Sequence, residues 1–165
     1  MGFKVDGIKE CIDGVTLFNE IAGNLQHITN DKLIAQSKVV REEGMELLEA
    51  VESGVENEIL KECVDVLVTI HGFVKMLEEQ GYAVMGAWSE VNSNNLSKFP
   101  STDEAVEASL EYYYEQEIAV SATTVPDYNC FVIKNDAGKV VKPLGYKKCS
   151  VASYTPKGIL PKVKE

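Results

Sequence analysis

The chain has 165 residues, 45% of them apolar, and a formal net charge of −10, which fits one domain with a small appendage and a real core and excludes wholesale disorder. No apolar run approaches the length that spans a bilayer, and no apolar leader segment follows Met1-Gly2-Phe3-Lys4-Val5-Asp6, so a cytoplasmic protein without a membrane partner is expected. Residues 1–100 hold 17 acids against 8 Lys/Arg, whereas the stretch from Tyr128 onward holds 8 lysines against 2 acids; the acidic body excludes direct nucleic-acid binding, which needs Lys/Arg against phosphates.

Helical periodicity dominates the first hundred residues. Ile8, Cys11, Ile12, Val15, Phe18, Ile21, Ala22 and Leu25 recur at helical spacing and predict a first amphipathic helix. Asn30 or Asp31 is expected to cap a second, with Leu33, Ile34, Val39, Val40, Leu47, Leu48 and Val51 as its apolar positions and Ser53-Gly54 as its stop. A third runs from about Glu56 to Gln80 and ends at Gly81. A fourth covers roughly Tyr82 to Asn95. After Pro100, the capping box Ser101-Thr102-Asp103-Glu104 opens a fifth helix to about Ile118, which Thr123-Thr124-Val125-Pro126 breaks. Cys130–Ile133 and Lys139–Val141, joined by Asn135-Asp136-Ala137-Gly138, predict a small hairpin. The four cysteines form no C-x-x-C pair, and the apolar positions of Cys11 and Cys63 predict buried free thiols.

Glu42-Glu43-x-x-Glu46 lies on the second helix, and Glu62-x-x-Asp65 on the third. Residues three apart share a helical face, so Glu43, Glu46, Glu62 and Asp65 can converge from two short-looped helices. Like charges so gathered repel unless a cation lies among them, and oxygen-only ligation suits Mg²⁺ or Mn²⁺. Asp65 interrupts the apolar run Cys63-Val64-Asp65-Val66-Leu67-Val68-Thr69-Ile70, where an unpaired charge is costly. It is expected either to ligate a metal or to pair with Arg41 or Lys61. His71, beside Ile70 and Phe73, reads as a hydrogen-bonded core or interface residue. Trp88 and Tyr112-Tyr113-Tyr114 are candidates for base stacking, with packing the favoured reading. Because three consecutive tyrosines cannot share one helix face, at least one is expected to meet a partner chain.

E-E-x-x-E followed after 15 residues by E-x-x-D resembles the signature of the all-α NTP pyrophosphatase superfamily of MazG, the dimeric dUTPases and the dCTPases. Phe18-Asn19-Glu20, Gly81, Glu90-Val91-Asn92-Ser93-Asn94-Asn95-Leu96-Ser97-Lys98 and Gly138-Lys139-Val140-Val141-Lys142-Pro143 are similar to segments of phage-encoded MazG-like proteins, so the resemblance covers nearly the whole chain. It implies an antiparallel four-helix MazG-like bundle at 1–100, the catalytic core. An extra helix, the hairpin and the lysine-rich tail at 101–165 would pack on that core or on a partner subunit. By position, Glu43, Glu46, Glu62 and Asp65 correspond to metal ligands. Glu42 corresponds to an acid that supports a second metal or the attacking water, and Asn92, Asn95 and Lys98 to substrate contacts. Many relatives carry an arginine where this chain has Ser93-Asn94; helix capping by the asparagines and a dipole interaction of Lys98 are the alternatives there.

The resemblance further implies Mg²⁺-dependent hydrolysis of a nucleoside triphosphate, a dNTP by preference, to the monophosphate and pyrophosphate. Glu42 or Glu46 would orient the water or take its proton, and Lys98 or Lys139 would stabilise the leaving group. It implies a homodimer or dimer-based homotetramer in the cytoplasm, that of a host cell if phage-encoded. Phosphoribosyl-ATP pyrophosphohydrolase and a non-catalytic helical interaction module are the competing readings.

Overall fold

In the computed structural model residues 8–157 are described; the segments 1–7 and 158–165, including the end of the lysine-rich tail, lie outside them. The described chain is mostly helical, with five α-helices and one two-stranded antiparallel sheet. It forms two compact units, one of residues 8–84 with 154–157 and the other Met85–Ser153.

The first unit is built on a helical hairpin. Helix α2 (Asn30–Ser53) starts at Thr29, whose side chain accepts from the Lys32 amide at 3.3 Å. The expected caps, Asn30 and Asp31, are already inside the helix. It stops where sequence predicts, because Gly54 takes φ 73°, a left-handed conformation that glycine adopts freely, and its amide donates to Ala50 and Val51 carbonyls. Helix α3 (Glu56–Glu79) follows after two residues, which forces it back antiparallel against α2. Helix α1 (Ile8–Ile21) packs on α3 and ends before Leu25, since Gly23 turns left-handed and the Asn24 amide bonds the Asn19 carbonyl at 3.0 Å.

These three helices do not cover their own apolar faces. Leu33, Ala50 and Met76 are buried, but Phe18, Ile21, Leu48, Leu60 and Leu67 are exposed. Cys11 and Cys63 are exposed as well, contrary to the expected buried thiols. The apolar stripes that carry them are wider than the surface α1–α3 offer one another. No described helix is long and apolar enough to cross a membrane.

In the second unit, α4 (Val84–Leu96, beginning at the last residue of the first unit) precedes α5 (Asp103–Glu115). Thr102 caps α5, accepting from the Ala105 amide at 3.3 Å. The helix ends short of Ile118, with Glu117 at φ 57°. Strand pairing differs from expectation. Val120–Val125 forms β1 and pairs with β2 (Cys130–Asn135), Val120 opposite Asn135 and Val125 opposite Cys130. The β-branched Thr123-Thr124-Val125 run is therefore the end of a strand, and Pro126 opens the short 3-10 turn of the hairpin. Lys139–Val141 contributes only a single bridge, Lys134 to Val140.

Ile133 and Ser109 are fully buried at the centre of this unit. The Ser109 hydroxyl donates to the Ala105 carbonyl at 2.6 Å and accepts from the Leu144 amide at 2.9 Å, tying the segment after the hairpin to α5. Ser109→Ala removes the acceptor of that part-buried amide and should lower stability by about 0.5–1.5 kcal/mol, the usual net contribution of a hydrogen bond. Urea unfolding with an unchanged midpoint would refute this.

Candidate metal centre

The α2–α3 hairpin brings three of the four expected ligands together. One carboxylate oxygen each of Glu43, Glu62 and Asp65 lies within 4.8 Å of the others, and all three residues are partly buried. Glu62 and Asp65 occupy one face of α3 because they are three residues apart. Thr69 and Gly72 continue that face toward α2: the Gln36 side-chain amide donates to the Thr69 carbonyl at 3.1 Å and lies 3.6 Å from where a Gly72 Cβ would stand. Leu60, Val64 and Leu67 fall on the roughly opposite side and are 67%, 45% and 49% exposed. The usual amphipathic arrangement is therefore inverted here. Carboxylates face the neighbouring helix, and apolar side chains face outward.

Lys61 Nζ lies 2.8 Å from Glu62 Oε1 and 2.9 Å from Asp65 Oδ2, so the ion pair weighed for Asp65 forms with Lys61. That lysine is 63% exposed, and such a pair contributes little net stability. One cation also faces three carboxylates. Hydrogen bonds to Glu62 and then Asp65 hold its pKa well above the ordinary lysine value. On the far side of the pair, Glu62 Oε2 is buried and has no hydrogen-bond partner. A buried carboxylate oxygen left unpaired is unfavourable, and a hard cation is the partner an all-oxygen donor set accepts. The residues present thus fit Mg²⁺ or Mn²⁺.

Loss of solvation, followed by the charges of Glu46, Asp65 and Glu62, raises the Glu43 pKa above the ordinary 4.5, against a lowering by Lys61. A carboxyl whose folded pKa is raised contributes stability fully present below the unfolded value and lost as pH rises through the folded one. In EDTA, stability should therefore fall as pH rises above 4.5 toward neutrality, and Glu43→Gln should remove that part of the slope. Identical melting-temperature profiles for wild type and variant would contradict this.

Glu46 does not join the three converging oxygens. It is exposed one turn further along α2, where with Glu49, Glu58 and Glu62 it lines a shallow acidic concavity of about 370 Å³. Glu42 is exposed beside Glu43. The expected substrate residues all belong to the second unit. Asn92 and Asn95 are exposed on α4, and Lys98 Nζ donates to Asn95 Oδ1 at 2.9 Å. Lys139 is exposed in the turn after β2, its amide donating to Asn135 Oδ1 at 2.9 Å. Asn94, which sequence did not single out, donates to the Lys147 carbonyl at 2.6 Å and accepts from the Tyr146 hydroxyl.

His71 Nδ1 lies 2.6 Å from the Leu67 carbonyl, which can only accept, so Nδ1 carries the proton. The ring lines an apolar groove of about 520 Å³ with Phe18, Val64, Leu67 and Val68. Trp88 is 52% exposed, against the favoured packing role; Tyr114 is 84% exposed, in line with three tyrosines that cannot share one face, and Tyr112 and Tyr113 meet edge to face.

Compared with family models, curated proteins and solved structures, the chain matches none.

Proposed function

We propose that the protein is a divalent-metal-dependent nucleoside-triphosphate pyrophosphohydrolase of the MazG-like kind, releasing a nucleoside monophosphate and pyrophosphate, with a dNTP as the preferred substrate. The observation that carries this reading is the inward carboxylate cluster of Glu43, Glu62 and Asp65 with its unpartnered Glu62 oxygen. Side chains meant only for solubility would point outward; these face a neighbouring helix while leucines face solvent.

Glu43, Glu62 and Asp65 would hold Mg²⁺ or Mn²⁺, which supplies neutralisation of phosphate charge and activation of water. Without it, a triphosphate would be repelled by a chain of net charge −10. Glu46 raises the Glu43 pKa by its charge and borders the acidic concavity; its carboxylate, or that of Glu42, orients the attacking water and accepts its proton. Lys61 compensates two of the carboxylates, and a divalent cation held by the same oxygens would take over that role. Asn92, Asn95 and Lys98 are assigned to the substrate by the resemblance, and Lys139 by its charge, with Lys98 or Lys139 opposing charge on the departing pyrophosphate. Attack at the α-phosphorus rests on the same resemblance, as do the MazG-like helix bundle, the homodimer or dimer-based homotetramer, and action in the cytoplasm.

The Lys61 ion pairs favour a second reading, a helical interaction module in which the acids are neutralised internally. A panel of NTPs and dNTPs with Mg²⁺ separates the two. Pyrophosphate with a monophosphate product supports the hydrolase, orthophosphate redirects it to a phosphatase, and absence of turnover with every nucleotide favours the module.

A further inference from the structure

Between α2 and α3 lies a polar layer that the proposed chemistry does not use. Asn19 is 4% exposed; its amide donates to the Val15 carbonyl at 2.8 Å, and its Oδ1 accepts from Asn24 at 3.0 Å. A Cβ on the buried Gly72 would stand 3.2 Å from Asn19 Nδ2 and 3.6 Å from Gln36 Nε2. The absence of a side chain at position 72 thus gives room for the Asn19 amide, while the Gln36 amide lies at ordinary contact distance beside it. Gln36, next to this position, donates across to the Thr69 carbonyl at 3.1 Å. The Thr69 hydroxyl in turn donates back along α3 to the Asp65 and Val66 carbonyls at 2.9 and 3.1 Å.

Position in the helices gives this contact its meaning. Gln36 precedes Glu43 by seven residues, and Thr69 follows Glu62 by seven and Asp65 by four. All therefore share the facing stripes of α2 and α3, with the hydrogen bond about two turns, or ~10 Å, along the helices from Glu43 and Glu62 and about one turn, or ~6 Å, from Asp65. Many apolar side chains of both helices face outward, so fewer of them remain between the helices to define register. A slip of one turn, about 5.4 Å, exceeds the 4.8 Å that contains the three oxygens. A single directional bond between part-buried groups defines register where apolar contacts do not.

We propose that Gln36 is the positioning residue of the carboxylate cluster: by bonding the Thr69 carbonyl beside Gly72, it holds α2 in the register that sets Glu43 over Glu62 and Asp65. Its value to a bound metal rests on the function proposed above, whereas the register claim itself does not. Gln36→Met keeps length and volume while removing the donor. Gln36→Asn, too short to reach the Thr69 carbonyl, serves as a second variant should the first fail to fold.

Two readouts on the full chain decide the matter. In EDTA, Glu43→Gln relieves repulsion and should raise the melting temperature of the wild type by about 2–4 °C, the shift ordinary for a modest local gain in a chain this long. In the Gln36→Met background that gain should fall to less than half, since the carboxylates are no longer held together. Mn²⁺ affinity, read by electron paramagnetic resonance, should weaken about 10- to 100-fold in Gln36→Met, as for other residues that orient ligands, with the circular dichroism of the helices retained. An equal effect of Glu43→Gln in both backgrounds overturns the positioning role, as does unchanged Mn²⁺ affinity in Gln36→Met. If the wild type binds no Mn²⁺, the hydrolase reading fails, and the EDTA comparison still decides what Gln36 does.

Discussion

Glu43→Gln and Asp65→Asn should each lower pyrophosphate release by at least about 100-fold while leaving the chain folded and, in EDTA, slightly more stable. The loss follows from the cation: a bound metal contributes several kcal/mol of charge stabilisation at a phosphoryl centre, and each ~1.4 kcal/mol is tenfold in rate. The gain follows from the same crowding. Glu43, Glu62 and Asp65 place three carboxylate oxygens within 4.8 Å, and a neutral amide at position 43 removes one repelling charge without changing side-chain length. Opposite signs for activity and stability distinguish ligands from structural acids. A salt-bridging residue should show a loss in both, and Asp65, which pairs with Lys61 at 2.9 Å, is the sharper case. Circular dichroism melts in EDTA beside an assay with Mg²⁺ provide both numbers. Activity retained in both variants would remove these residues from the site.

On the proposed homo-oligomeric reading, Leu60→Glu with Leu67→Glu should yield a monomer, and Tm should depend on concentration only in the unsubstituted chain. Leu60, Val64 and Leu67 recur at spacings of four and three along α3 and are 45–67% exposed, the pattern of a seam that lacks its partner helix. The apolar groove between α1 and α3 continues beside it, with Phe18 and Val68 on its walls. Burying a leucine or valine side chain contributes about 1.5–3 kcal/mol, so three of them offset a substantial share of the cost of association. Light scattering after size exclusion reads the outcome directly. A wild type that is monomeric at micromolar concentration would show that this apolar surface serves no copy of the chain.

The sequence carried the helices well and the second unit less well. Gly54 and Gly81 marked the ends of α2 and α3 because only a left-handed residue closes those turns, and both adopt positive φ. The i, i+3 carboxylates were legible because helical spacing alone aligns Glu62 with Asp65, and a two-residue loop returns α3 to Glu43. Glu46 was not separable from them. It shares the spacing, and only the facing of α2 against α3 leaves it outside the three oxygens. Pro126 misled the reading of β1, because a proline that ends a strand and opens a 3-10 turn looks in sequence like a general breaker. Lys139–Val141 scored as a strand on composition, but pairing partners are a property of the fold. Cys11 and Cys63 followed the apolar pattern correctly; burial did not, since α1 to α3 leave those faces uncovered. Gln36 and Gly72 carried no signal by type, and their role emerges only where α1, α2 and α3 meet.

A crystal grown with Mn²⁺ and measured for anomalous scattering tests the metal assignment at its root. The account predicts a peak bounded by oxygens of Glu43, Glu62 and Asp65 at roughly 2.0–2.3 Å, with Lys61 withdrawn from the pair. Carboxylates turned away from one another around an empty centre, with Lys61 still in place, would contradict it.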